Sequence, residues 1–474
     1  MAMGKRKRRQ QTMWVAASDL PMSPGHPFYA KLNRALEAGG FDAYVEGRCR
    51  RYYAPVLGRP GLSPGRYFRL LLVGYFEGLD SERGMAWRAA DSLAIRSFLG
   101  LGLEESAPDH STISRNRRLI DVETHREVFT WIQERLAESG LLSGKTVSID
   151  ATTLEANAAM RSIVRRQTGE TYPEFLKRLA TSSGIRTPSR EALSRLDRRR
   201  RRKGSNEEWT SPADPDAKIT RMKDGRTHLA HKAEHAVDMA TGAIVAVTIQ
   251  GADQGDTKTL KSTLAQAEHQ IETVSSRTGG CHADGLQEVV ADKGYHSTSV
   301  LMDLEDSGLR SYVAEPDRGR RRWRDDVEGR LAVYANRRRT RGSRGKRLQR
   351  ARGERVERPF AHLYRTGRMR RTHLRGHENI LKRVLIHSGA FNLALLIRRT
   401  FGVGTPRGLQ GRALALFMHL IRQCRLWWTA RGLHANSHRP HPGRSTIQPD
   451  GLRHSHRFSP RTARGPRPAA GAPR

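Results

Sequence analysis

The spacing of apolar and polar positions divides the chain into stretches of different period. From Pro27 to about Leu119 apolar residues recur at helical spacing, as in Phe28-Tyr-Ala-Lys-Leu-Asn-Arg-Ala-Leu36 and Tyr67-Phe-Arg-Leu-Leu-Leu-Val-Gly-Tyr-Phe76. Recurrence every three or four residues gathers those side chains on one helix face. Ser63-Pro64 reads as a helix start, because proline at the first helical position gives up no hydrogen bond. Ser111 is expected to cap a short helix carrying Ser114, Arg115 and Arg118. Helix returns over about 123–138 and Gly140 breaks it. The period then changes to two, and Lys145-Thr-Val-Ser-Ile-Asp150 reads as a strand. A long polar, basic insert follows, about residues 160–227, whose Arg-rich run at 198–203 reads as a loop or a helix end. Residues 231–238 and 242–250 flank a Met-Ala-Thr-Gly turn and predict a hairpin. A helix from Asp256, a strand at 288–292, a helix from Ser299, a strand at 310–315 and helices from about Gly353 to Ile397 complete the pattern. This order predicts a mixed α/β sheet with helices on its faces.

Charge narrows the function classes. The chain of 474 residues carries 85 Lys and Arg against 48 Asp and Glu, a formal net charge of +37. A field of that sign and size suits a polyanionic partner. No lipidation motif, secretory signal or uninterrupted apolar stretch of spanning length is read, so no membrane role is expected and the cytosol is the expected compartment. Cys49, Cys281 and Cys424 have no paired spacing. That argues against a disulfide framework or a structural zinc and fits a reducing compartment.

Two acids carry the candidate chemistry. Asp150 and Asp292 each close an apolar β-run, and an acid at the end of such a run points its carboxylate away from the sheet edge. If their strands lie side by side, the pair makes a magnesium site that acts on phosphates. His228, His231 and His235 resemble metal ligands by spacing, but residues 228 and 231 of a strand point to opposite faces. A surface or DNA-facing role is favoured for them over zinc. Asp238 precedes the hairpin turn and is read as its cap.

Several motifs in order resemble the DDE transposases of bacterial insertion sequences. They are Gly61-Leu-Ser-Pro-Gly-Arg-Tyr-Phe68, Pro108-Asp-His-Ser-Thr-Ile-Ser114, Ser148-Ile-Asp150-Ala-Thr152, His231-Lys232 with Asp238, Ala291-Asp292-Lys-Gly-Tyr295 and Val356-Glu357-Arg-Pro-Phe360. The resemblance spans roughly residues 27–397. It implies an RNase H-like catalytic domain, residues 141–401, after a helical, helix-turn-helix-like DNA-binding domain, residues 27–140. A basic arm (1–26) and an Arg/Pro-rich, mostly disordered tail (402–474) flank them. It also implies that Asp150, Asp292 and Glu357 hold two Mg2+ ions, for which Mn2+ can substitute. The implied activity is binding of the element ends in double-stranded DNA, then strand cleavage and strand transfer into target DNA by a homodimer on paired ends. A DNA-binding protein without catalysis, or a nuclease that does not join, are the alternatives. The family often carries Arg four residues before the Glu and Lys seven after it. Here those places hold Gly353 and Tyr364, with Arg352, Arg355 and Arg368 as nearby substitutes. Glu354, one turn before Glu357, stays open as the third carboxylate.

Further residues are candidates for DNA contact. Small polar residues and arginines at a helix start, here Ser114, Arg115 and Arg118, suit a recognition helix in a major groove; a solvated basic face is the alternative. Arg321 and Trp323, within the basic run 318–324, suit backbone contact with base stacking; a solvated loop is the alternative. Lys232, Tyr295 and Arg337 complete the set, and packing beside the acids is an equal reading for Tyr295. Arginines at 337–339 and 341 are expected to add affinity that falls with salt.

Overall fold

The computed structural model describes residues 26–408, except 55–60, 201–203, 223, 318, 320, 322 and 324. The basic arm, the tail from residue 409 and the helix expected near 414–428 therefore lie outside the described residues. Seven helices come first: α1 (Pro27–Ala38), α2 (Phe41–Cys49), α3 (Pro64–Phe76), α4 (Glu82–Asp91), α5 (Leu93–Phe98), α6 (His110–Leu119) and α7 (Val122–Glu138). Nearly all of α3 is buried, as its run of apolar residues requires. The cap of α6 differs from expectation. Asp109, not Ser111, is the N-cap, and its carboxylate accepts the Ser111 N–H at 2.8 Å. A carboxylate is the better acceptor at the positive end of a helix, so it displaces the hydroxyl two positions along.

The predicted mixed sheet is present. Its strands are β1 (Thr146–Glu155), then, after a short pair β2 (Val164–Arg165) and β3 (Trp209–Thr210), β4 (Lys218–Arg221), β5 (Thr227–Asp238), β6 (Ile244–Gly251), β7 (Glu288–Ala291) and β8 (Arg310–Val313). The order is β4-β5-β1-β7-β8, with β6 also paired to β5. The hairpin β5–β6 is antiparallel, β1 lies antiparallel to β5, and β1, β7 and β8 are mutually parallel. Asp238 caps the hairpin turn as read from sequence, accepting from Thr241 Oγ1 at 2.8 Å.

The insert between β1 and β5 is more ordered than its polarity predicts. Helices α8 (Tyr172–Ser182) and α9 (Arg190–Arg199) join β2 and β3 around a small second core that includes Ile163, Phe175, Trp209 and Leu229. Its arginines cover aromatic faces, Arg165 and Arg200 lying 4.9 and 4.8 Å from the Phe175 ring centre. Cation–π contact lets a basic segment pack where residue counting reads only solvation.

The remaining helices are α10 (Asp256–Thr278), α11 (Thr298–Asp306), α12 (Val327–Arg341), α13 (Ser343–Ala361) and α14 (His377–Phe401). Helix returns well before Gly353, because the arginines of α12 and α13 keep helical spacing around a sparse apolar stripe. One hydrophobic core runs from Phe28 to Ile397, with α14 packed against α3, α7 and β6. The N-terminal helices and the sheet thus share a core, and residue 140 separates elements rather than packing units. The segment His377–Gly408 is long and apolar enough to cross a membrane, but 83% of its apolar window is buried inside the protein.

Side-chain amides close both open edges of the sheet. Asn392 of α14 accepts from Ile244 N at 2.9 Å and donates to Ile244 O at 2.8 Å, and Asn336 of α12 makes the same pair of bonds to Val313, both 2.9 Å. Each amide satisfies a donor and an acceptor that an edge strand leaves open. Removing Asn392 orphans the Ile244 N–H in a dry interior, while Ile244 O keeps a bond from Gln133 Nε2 at 3.0 Å. Asn392→Ala is therefore expected to lower the unfolding free energy by about 1–3 kcal/mol, measured by denaturant titration against wild type.

Candidate active site

The two predicted aspartates meet through the topology of β1. Parallel pairing of β1 with β7 covers only Thr146, Val147 and Ser148, whereas antiparallel pairing with β5 continues to Glu155. Asp150 is thus not at a strand end, as the sequence pattern implies, but in mid-strand, just beyond the point where β7 turns away. Asp292 stands at that turn. It follows β7 and caps the short turn Lys293–Tyr295, accepting from Gly294 N at 2.8 Å.

A guanidinium joins the two carboxylates. Arg352 Nη2 lies 3.0 Å from Asp150 Oδ2 and 3.9 Å from Asp292 Oδ2. Its Nε is buried without a hydrogen-bond partner. Helix α13 is held over the parallel strands by Gln349, whose amide donates to Ala291 O and Tyr312 O. Burial raises the Asp150 pKa from the ordinary aspartate value; Arg352 opposes this and the charges of Asp292 and Asp256 add to it. A partly desolvated carboxylate among other carboxylates is a site short of positive charge.

A third acid, overlooked in the sequence, belongs to this cluster. A methyl group on Gly294 would lie 2.6 Å from Asp256 Oδ2 and 3.0 Å from Asp292 Oδ1, so both carboxylates close on the same bare backbone. Asp256 begins α10, and its other oxygen accepts from Lys232 Nζ at 2.6 Å. Helix position alone marks Asp256 as an ordinary first-turn acid; its proximity to Asp292 arises only from the fold.

Beneath the acids lies a buried polar network. Glu234, fully buried on β5, accepts from Thr259 Oγ1 at 2.9 Å and from the Tyr295 hydroxyl at 2.7 Å, with Lys232 Nζ 3.7 Å away. This corrects two DNA-contact expectations. Lys232 and Tyr295 face inward, 6% and 1% exposed, and tie β5, α10 and the turn after β7 together. His231 and His235 are internal too, against the surface or DNA-facing expectation. His231 pairs with buried Asp214 at 3.0 Å, and His235 meets the Tyr364 hydroxyl at 2.5 Å with its pKa pushed down to about 3 by burial. His235 packs edge-on against Phe360 of α13, and His231 against His377 of α14. His228 is half-buried and bonded to Asp224.

Glu357 is not gathered in with the aspartates. The buried stripe of α13 runs through Val356 and Pro359, with Arg352 half-buried above it, and both Glu354 and Glu357 are exposed. Among the described residues no three His, Cys, Asp or Glu side chains stand close enough to hold a metal ion. The Asp150–Asp292 pair nonetheless fits a magnesium ion, which takes one or two carboxylates and completes its shell with water and phosphate oxygens. The Arg352 cation already bridges the same two groups.

Two family models match the chain. One, described as Transposase domain (DUF772), covers residues 19–119, and the other, Transposase DDE domain, covers residues 180–393. The chain belongs to the DDE transposases of insertion sequences. No curated protein matches it. Transposases of this family act on DNA and use divalent metal ions. The DDE match includes Asp292 and Glu357 but begins after β1, so Asp150 is tied to the site by pairing geometry rather than by the match.

The other candidate contacts are scattered over this transposase. Arg115 and Arg118 are exposed on α6, while Ser114 accepts from Arg117, which reaches Glu82 at 2.7 Å. Arg321 stacks 4.2 Å from the Trp323 ring centre; Arg318, Arg320, Arg322 and Arg324 of the same run lie outside the described residues. Arg337 is engaged in a two-pronged pair with Glu315, at 2.8 and 2.6 Å. Crowding at Gly294 gives a sharp test of the cluster. Gly294→Ala is expected to push the Asp256 and Asp292 carboxylates apart, cutting strand-cleavage rate at least tenfold while the melting temperature changes little, since only side-chain ends must move.

Proposed function

We propose that this chain binds the terminal repeats of its insertion sequence and catalyses metal-dependent cleavage and strand transfer, with two protomers on paired ends. The observation that carries the reading is the pair of carboxylates from adjacent strands, Asp150 and Asp292, facing one cation. In this reading Asp150 and Asp292 hold Mg2+, and Glu357, with Glu354 as its rival, supplies the third carboxylate. Mg2+ bound there would polarise the phosphodiester and stabilise the attacking and leaving oxygens. Asp256 orients Lys232 and crowds Asp292 toward the shared site. Arg352, freed from the aspartates, is within reach of a phosphate oxygen held beside them and takes the place of the family's missing Arg. A lone Ser or Tyr nucleophile is not called for, since water and then a DNA 3′ hydroxyl attack in turn.

The exposure of Glu357 favours a second reading, an end-binding protein without catalysis. Incubation with DNA carrying the flanking terminal repeats, with and without Mg2+, separates the two. Asp150→Asn and Asp292→Asn are each expected to lower cleavage by at least a thousandfold and leave end binding within about threefold, measured by gel cleavage and fluorescence anisotropy. Glu357→Gln is expected to match them and Glu354→Gln to retain cleavage. Wild-type cleavage by either Asn variant would remove the assignment.

A further inference from the structure

We propose that the segment from Arg365 to Arg371 grips the DNA phosphate backbone about half a helical turn from the bond that is cut. The proposal rests on the reading of Asp150 as the centre of strand cleavage. After α13 the chain does not end in an ordinary cap. It widens into a π-helical turn, His362–Thr366, and then passes through Arg368 at φ 52°. Arg368 and Asp325 are the only non-glycine residues at positive φ among the described residues. Wide turns and left-handed bulky residues are unfavourable and persist where the surroundings force them, often at sites of function.

The surroundings do force the backbone here. The Tyr364 hydroxyl is bonded to His235, the cross-strand partner of Asp150. Leu363, Met369 and Thr372 are buried on either side of the exposed arginines. A side chain on Gly367 would lie 2.6 Å from Leu363 O and 3.1 Å from the Tyr75 ring. The segment then runs beside the last residue of β1, with Glu155 N donating to Arg370 O and Thr372 N to Glu155 O, both at 2.9 Å. A rigid backbone thus presents four arginines, Arg365, Arg368, Arg370 and Arg371, all exposed.

These arginines lack the partners that occupy many others in the chain. Among the described residues no carboxylate lies within ion-pair distance of Arg365, Arg368 or Arg370, and the Glu155 carboxylate is 3.9 Å from Arg371. All four line an open cleft of about 660 Å³ whose single acid is Asp80. Packing like charges along a fixed edge is unfavourable unless an anion joins them. Guanidinium groups match phosphate oxygens in shape and charge. A duplex backbone, with evenly spaced phosphates, suits a row of such groups.

Distance along β1 sets the register. Asp150 and Glu155 are five residues apart on one strand, about 17 Å at the rise of a β-strand. Duplex phosphates recur every ~3.4 Å along each strand. With the duplex laid along β1, the grip meets the backbone about five base pairs from the scissile phosphate.

The test uses the full chain and duplex DNA carrying the terminal repeat, without Mg2+, so that binding is read apart from cleavage. The triple variant Arg365→Gln, Arg368→Gln, Arg370→Gln is expected to bind about 10–100-fold more weakly near 0.1 M salt, and its log K against log[salt] slope should be smaller by about two to three. The matching triple Lys variant, which keeps the charge, should retain most of the slope. Ethylation interference on wild type should mark phosphates about five nucleotides from the cut, and the Gln variant should lose that signal. A Gln variant that melts like wild type and keeps its slope and footprint would overturn the grip alone. Failure of the wild-type chain to bind repeat DNA would overturn both the grip and the transposase reading, and cleavage by Asp150→Asn would overturn the register by removing its origin.

Discussion

The site depends on the unequal pairing of one strand. β1 is bonded to β5 along almost its whole length but to β7 for only three residues. Where β7 leaves, the sheet opens on one side of β1 while the other side stays held. Asp150 sits in that opening and Asp292 on the departing chain. The register pairs Ser148 with Val290, so Asp150 and Asp292 stand at matching positions two residues on, where the ladder has ended and neither carboxylate is enclosed between paired strands.

Holding acids together without a metal requires compensation. Like charges in a partly dry place repel, and desolvation penalises each of them. The protein answers with two cations on opposite sides, Arg352 from α13 against Asp150 and Asp292, and Lys232 from β5 against Asp256. Lys232 is locked by Thr259 and Gln254 inside the network around Glu234. Arg352 Nε is buried without a partner, and its side chain is more exposed than that of Lys232, 17% against 8%. One cation is therefore structural, and the other sits where a metal or a phosphate can replace its contacts.

Basic residues in this chain divide into those used internally and those left over. Arg117, Arg337 and Arg344 meet Glu82, Glu315 and Glu288, and the insert's arginines lie on aromatic faces. Composition alone treats all of them as surface charge. Arg365, Arg368 and Arg370, which have no carboxylate partner among the described residues, stand on an irregular but well-anchored edge after α13, beside the last residue of β1, the strand that carries Asp150.

Much of this was legible in the chain. Period and turn residues specify the helices, the hairpin and the order of strands, because neighbouring residues decide local structure. Asp150 and Asp292 stand out because an acid closing an apolar run has few structural uses. The inward turn of Lys232, Tyr295, His231 and His235 was not legible, since burial of a polar side chain depends on partners far away in sequence, such as Glu234 with Tyr295. Asp256 was invisible as a member of the site for the same reason: a first-turn acid looks alike whether it faces water or another carboxylate. The sequence by itself determined the N-terminal helices, the main strands with their hairpin, the charge and two of the acids. Only the tertiary structure decided which cations meet them and that Glu354 and Glu357 both stay exposed, because strand pairing and helix docking bring together groups that no local pattern relates.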